Sequence, residues 1–223
     1  MFFADRITQI QPNDKVLEIG PGAHPHPRSN VLLELEYSSE EARSAQFGHT
    51  EKLNTDKKIV YYSGGKFPFA DKEFDYVICS HVMEHVADVP GFLSEIFRVS
   101  PKGYFEYPLV YYDYLYNFDV HVNFIKYSDE VMKYMKKKDS GLDHFLPVQQ
   151  LFNASLKKGH VALVNDLLPL LMEGFEWNKP FEVKEAKKLE EVCHSHLQVP
   201  EAKINLPPTR LQLFKQLIRT LVK

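Results

Sequence analysis

In the stretch Lys15-Val16-Leu17-Glu18-Ile19-Gly20-Pro21-Gly22, an apolar run carrying one carboxylate breaks into two glycines one residue apart. A buried strand that turns sharply beneath a small ligand needs this composition, because glycine takes positive φ without a Cβ clash and lets the backbone approach the ligand. Glu18 then falls near the carboxyl end of the strand, the edge at which open α/β sheets bind ligands. A dinucleotide fingerprint requires a third glycine at position 25, and Pro25 stands there. That argues against NAD.

Two further blocks follow in order. Phe67-Pro68-Phe69-Ala70-Asp71-Lys72-Glu73-Phe74-Asp75-Tyr76-Val77 runs on through Cys79-Ser80-His81 to Glu84-His85, and Ser100-Pro101-Lys102-Gly103-Tyr104 comes after it. Together the three blocks resemble the class I S-adenosylmethionine (SAM)-dependent methyltransferases of the small-molecule, type 11-like kind. The first is similar to motif I, the second to the "LPF-x-D-x-x-FD-x-V" block that ends in "EH", and the third to the "L-x-P-G-G" turn into the fifth strand. The likeness covers roughly residues 10–108. It implies an α/β fold with a Rossmann-like, mostly parallel sheet flanked by helices, and SAM as cofactor. It implies a methyl group transferred to oxygen or nitrogen of a small-molecule or glycan-like acceptor. The alternative is a non-catalytic binding or partner protein that kept the cofactor fold.

The resemblance assigns cofactor contacts residue by residue. Glu18, Gly20 and Gly22 belong to the first turn, and Ser80 ends the fourth strand. A carboxylate ending the second strand should accept from both ribose hydroxyls. Glu34 fits that position and Glu36, on the same strand face by the period of two, is the fallback. Ser63 stands where relatives carry an adenine-reading aspartate, and its hydroxyl accepts without charge assistance. Between Gly22 and Val31 the chain is too short and too rich in proline for the usual crossover helix. Either Arg28 replaces the missing helix terminus as a bidentate donor to the methionine carboxylate, or it is a solvated loop cation.

Three residues are candidates for catalysis. His81 lies where the methyl group would be presented and titrates near neutrality, so it either serves as general base or packs over the cofactor. Glu106 and His121 are the polar members, nearest the inferred reaction centre, of the aromatic segment Tyr104–Phe124, whose hydroxyl-tipped rings suit a polar or sugar-like acceptor; ordinary ring packing with a strand hairpin is the competing reading. No metal site is expected, since His24 and His26 lack a partner at ligand spacing. The sequence after Cys79 has neither the Asn/Asp-Pro-Pro-aromatic nor the Pro-Cys motif of nucleic-acid base methyltransferases.

These residues must be held by alternating elements, the order that builds a parallel sheet. Strands are expected at Val16–Ile19, Val31–Glu36, Lys58–Tyr62, Tyr76–Cys79 and Gly103–Tyr107, with helices at Ser39–Phe47 and Val89–Val99. Asp88 caps the second helix, and Val89, Phe92, Leu93, Ile96 and Phe97 form its apolar stripe. Residues 1–110 then make the SAM-binding core. Residues 111–223 make an extension that completes the sheet and acceptor site. Within it, Phe175-Glu176-Trp177 and Phe181-Glu182-Val183 read as a hairpin opened by Gly174. The stripe Leu211, Phe214, Leu217, Ile218, Leu221 and Val222 reads as a terminal amphipathic helix over 208–223, suited to a membrane surface or a dimer contact.

The net charge of −3 over 223 residues gives no general attraction to nucleic acid. Two cysteines, one inside an expected buried strand, make no disulfide framework. Without a signal-like or membrane-spanning stretch, a cytoplasmic location is expected.

Overall fold

A computed structural model describes residues 1–37, 39, 53–142 and 146–194. Strands β1 (Val16–Ile19), β2 (Val31–Leu35), β3 (Lys58–Tyr62), β4 (Tyr76–Ser80) and β5 (Gly103–Pro108) lie within one residue of the expected limits. They run parallel in the order β3-β2-β1-β4-β5, and β8 (Met172–Trp177) closes the β5 edge antiparallel. β1, β4 and β5 are buried at every residue but the last of β4, which explains their near-continuous apolar composition. The chain moves outward from β1 in both directions, so the sheet has its switch point between β1 and β4. Ligands of such sheets bind at that crevice. Ile19 pairs with Leu33 on one side and Cys79 on the other, which brings Gly20, Glu34 and Ser80 to one edge.

Helix α1 (Val89–Val99) covers one face, burying Val89, Phe92, Leu93, Ile96 and Val99 against Leu17, Ile19, Val77 and Cys79. Asp88 accepts from the Gly91 amide at 3.1 Å, the expected N-cap. On the opposite face Ile7 and Ile10 of the N-terminal segment lie over Val16, Tyr76, Ile78 and Tyr104. Glu176 anchors that segment by accepting from the amides of Thr8 and Gln9 and from the Tyr76 hydroxyl.

After β5 the aromatic run forms helix α2 (Val110–Tyr116), followed by β6 (Asn123–Ser128) and β7 (Val131–Lys136). Asp129 and Glu130 join those two strands, both at positive φ as a tight hairpin turn demands. Helices α3 (Leu146–Lys157), α4 (Ala162–Asp166) and α5 (Leu168–Leu171) lead back to β8.

The expected hairpin at 175–183 is corrected. β8 pairs with β5, whereas β9 (Glu182–Glu185) pairs in parallel with β7 in a second, three-stranded sheet. The aromatic residues that suggested a hairpin bridge the two sheets instead. Phe175 of β8 stacks on Tyr127 of β6 at 3.9 Å, and Phe181, just before β9, meets Trp177 of β8 edge-on at 6.4 Å. Apart from Ser39, the expected helix at 39–47 lies outside the described residues, as does the terminal stripe over 208–223. Among the described residues no helix is long and apolar enough to cross a membrane.

Candidate active site

A cavity of about 590 Å³ opens at the carboxyl ends of β1, β2 and β4. Gly20, Glu34 and His81 line it together with His85 and Phe92 and with residues not singled out from the sequence, such as Lys66. Gly20 has φ +59°, and a Cβ placed there would lie 2.6 Å from Val82 Cγ2. The bare backbone is therefore needed where the chain turns from β1 beneath the cavity. The Glu34 carboxylate is buried at the end of β2, and its Oε1 accepts from the Leu35 amide at 3.1 Å. Glu36 lies outside the lining and accepts from the Ser63 hydroxyl at 3.1 Å.

Other expected contacts sit elsewhere. Buried Glu18 accepts from the His26 amide at 2.8 Å and the Ser29 hydroxyl at 2.6 Å. Burial raises its pKa, with Ser29 and His26 opposing. Its carboxylate thus folds the proline-rich loop over the end of β1. Gly22, at φ +63° in that loop, has open space around it. Arg28 Nη2 donates to the carbonyls of Gln11 and Pro12 at 2.8 and 3.1 Å, and Arg28 is absent from the cavity lining. Ser63 and Ser80 are also absent from it, while their neighbours Tyr62, Gly64 and His81 are present.

His81 occupies the left-handed region at φ +56°, where its amide donates to the Glu106 carbonyl at 2.8 Å. Its ring bridges two buried carboxylates. Nε2 lies 3.0 Å from Glu106 Oε1, and Nδ1 lies 3.3 Å from Glu84 Oε1. Burial alone would lower its pKa, but the two carboxylates outweigh that effect and raise it to about 9. The two carboxylates thus favour the charged form of His81, with a ring nitrogen toward each, which weighs against the general-base alternative of its two expected roles.

Glu106 is fully buried beneath it. Oε1 accepts from the Phe2 amide, the Ser80 hydroxyl and His81, and Oε2 from the Phe3 amide and the Tyr104 hydroxyl. Burial opposes its charge, but His81 and the two amides hold its pKa down to about 2. His121 lies apart from the cavity lining, with Nδ1 2.8 Å from Asp113 Oδ2. The three expected catalytic residues thus divide between the His81–Glu106 ion pair and a His121–Asp113 pair on the far side of Glu84 from it. Only His81 reaches the cavity.

The approach of Tyr62 and Lys66 to the cavity depends on how strands and turns assemble, which the local sequence does not carry. The Gly64-Gly65-Lys66 turn was the one local signal, with φ +90° and +72° at its glycines.

Residues 17–106 match the family profile described as "Methyltransferase domain". No curated protein matches the chain. Among solved structures, a putative methyltransferase from Bacillus halodurans C-125 is 20% identical, with 50% of this chain and 55% of that chain aligned at a TM-score of 0.36. A possible histamine N-methyltransferase from Thermotoga maritima is 19% identical over 48% of this chain and 49% of that one, at 0.34. A structure from Haloferax volcanii, a Trm112 methyltransferase activator in complex with a putative methyltransferase, gives 20% identity over 47% and 49% at the same score. The chain spans about half the length of the first of these. Residues 17–106, which carry β2 to β4 and most of β1 and β5 of the sheet ordered β3-β2-β1-β4-β5-β8, are thus similar to a methyltransferase domain.

Proposed function

We propose that this protein binds SAM in the 590 Å³ cavity and transfers its methyl group to oxygen or nitrogen of a small-molecule or glycan-like acceptor. The observation that carries the reading is the pairing of the Gly20 turn with the buried Glu34 carboxylate across the β1–β2 edge of one cavity. A carboxylate there accepts from vicinal ribose hydroxyls, and a side chain at Gly20 would fill the cradle. The volume falls in the range of small-molecule sites.

SAM, when bound, supplies a methyl group already activated on a sulfonium, so the protein's part is positioning. His81 is committed to its two carboxylates and Glu106 to its five donors. Neither takes a proton from the acceptor. The acceptor therefore brings its own lone pair, as a neutral amine or an ionised oxygen does, and the cavity aligns it. Glu106 and His81 support the rim as a rigid, charge-balanced unit.

Calorimetric titration with SAM and its demethylated product tests the reading. Glu34→Ala should weaken binding by about 1.5–3 kcal/mol, the range for hydrogen bonds to a charged group, or roughly 10- to 150-fold. If the folded variant binds as the parent does, the cofactor is not held at the end of β2.

A further inference from the structure

Beside the cavity, Glu84, His85 and His121 each offer a ligand atom, and the three atoms lie within 4.8 Å of one another. Glu84 is 1% exposed, and among the described residues neither carboxylate oxygen accepts a hydrogen bond of full geometry. Among the described residues its charge is met by imidazoles, His81 at 3.3 Å and His85 Nε2 at 3.9 Å. Glu84 shares the one His81 imidazolium with Glu106, so two buried carboxylates face a single cation, which leaves room for a second.

The two histidines are oriented for one. His85 Nδ1 lies 2.8 Å from the Val120 carbonyl oxygen, which can only accept, so the proton is on Nδ1 and the Nε2 lone pair is turned toward Glu84. His121 Nδ1 meets Asp113 Oδ2 at 2.8 Å, which leaves its Nε2 as the coordinating atom. Nδ1–H bonds to a carbonyl and a carboxylate are what fix the tautomer and ring of metal-ligating histidines. The rings meet edge-on with centroids 5.0 Å apart.

We propose that Glu84, His85 and His121 form a divalent transition-metal site, selecting zinc by its two nitrogens and one oxygen, with Asp113 and the Val120 carbonyl as supporting acceptors. A tetrahedral shell with bonds of about 2.1 Å spaces its ligands by about 3.4 Å, so side-chain shifts of roughly 1 Å close the site. Three protein ligands leave a fourth position for water or an acceptor atom. His85 also lines the cavity, so the ion stands beside the site of methyl transfer. It pins the turn at Met83–His85 to the segment after α2.

The experiment uses the full chain stripped with chelator and dialysed against buffered zinc. Mass spectrometry should find one zinc per chain after gel filtration, and X-ray absorption should find two imidazoles and one carboxylate oxygen on it. His85→Ala and His121→Ala should each weaken zinc binding at least about 100-fold, Asp113→Asn about 10- to 100-fold, and exposed His160→Ala not at all. Less than one retained equivalent, or a ligand shell without two imidazoles, overturns the proposal on the parent alone, whatever the variants' folding. SAM titration of the same samples separates it from the cofactor reading, since zinc can bind where SAM does not.

Discussion

Glu106→Gln tests the buried charge cluster most directly. The carboxylate accepts five hydrogen bonds, three on Oε1 and two on Oε2. A glutamine has one acceptor oxygen, so its amide nitrogen must replace one carboxylate oxygen and face that oxygen's donors. At the Oε1 place it would oppose the Phe2 amide and the His81 imidazolium, which can only donate. At the Oε2 place it opposes the Phe3 amide, while the Tyr104 hydroxyl can rotate to accept. The second arrangement costs less, leaving one backbone donor unpaired and an imidazolium short of one counter-charge. An unpaired buried donor costs about 1–3 kcal/mol, and breaking a buried ion pair from one side costs about 3–5 kcal/mol in all. With Glu84 still facing His81, about 3–5 kcal/mol is the expected total. At about 2–4 °C per kcal/mol for a chain of this size, the thermal midpoint should fall by about 6–20 °C. Calorimetry and urea unfolding measure the loss. Limited proteolysis should show the segment at Phe2–Phe3 released first. A variant within about 1 kcal/mol of the parent would refute the account of Glu106 as a charged hub.

The same cluster sets the pH response of the parent. Glu106 and Glu84 are held to about 2 against an ordinary 4.5, so their stabilisation is present above pH 4.5 and is lost as pH falls toward 2. His81 is raised to about 9 against 6.5, so its share is present below pH 6.5 and is lost as pH rises through 9. Stability from urea unfolding at stepped pH should therefore decline on both limbs, and a flat alkaline limb would show that His81 is not charged in the fold. Gly20→Ala should cost about 1–2 kcal/mol for the left-handed backbone plus the contact with Val82 Cγ2. Adding Val82→Ala should recover the contact but not the backbone cost. Full recovery in thermal unfolding would mean that positive φ at position 20 is not required.

The amino-acid sequence alone determined the five parallel strands, β1 to β5. The apolar runs at Val16–Ile19 and Tyr76–Ser80, and the caps and stripe of Val89–Val99, are local signals, because burial on both strand faces and on one helix face dictates composition at short range. It determined the Gly20 turn too, because backbone conformation limits residue choice at that position itself. The tertiary structure decided everything that depends on which polar group meets which. A histidine at the end of a strand reads as a base; two carboxylates brought against it from positions 84 and 106 make it an acid held in its charged form. Arg28 was chosen for its fixed charge, but loop geometry gave it to the carbonyls of Gln11 and Pro12. Strands β8 and β9 separate into different sheets because Trp177 and Phe181 pack on residues about seventy and eighty positions away. Electrostatic and packing energies depend on distance in space, and for residues far apart in sequence only the assembled fold fixes that distance.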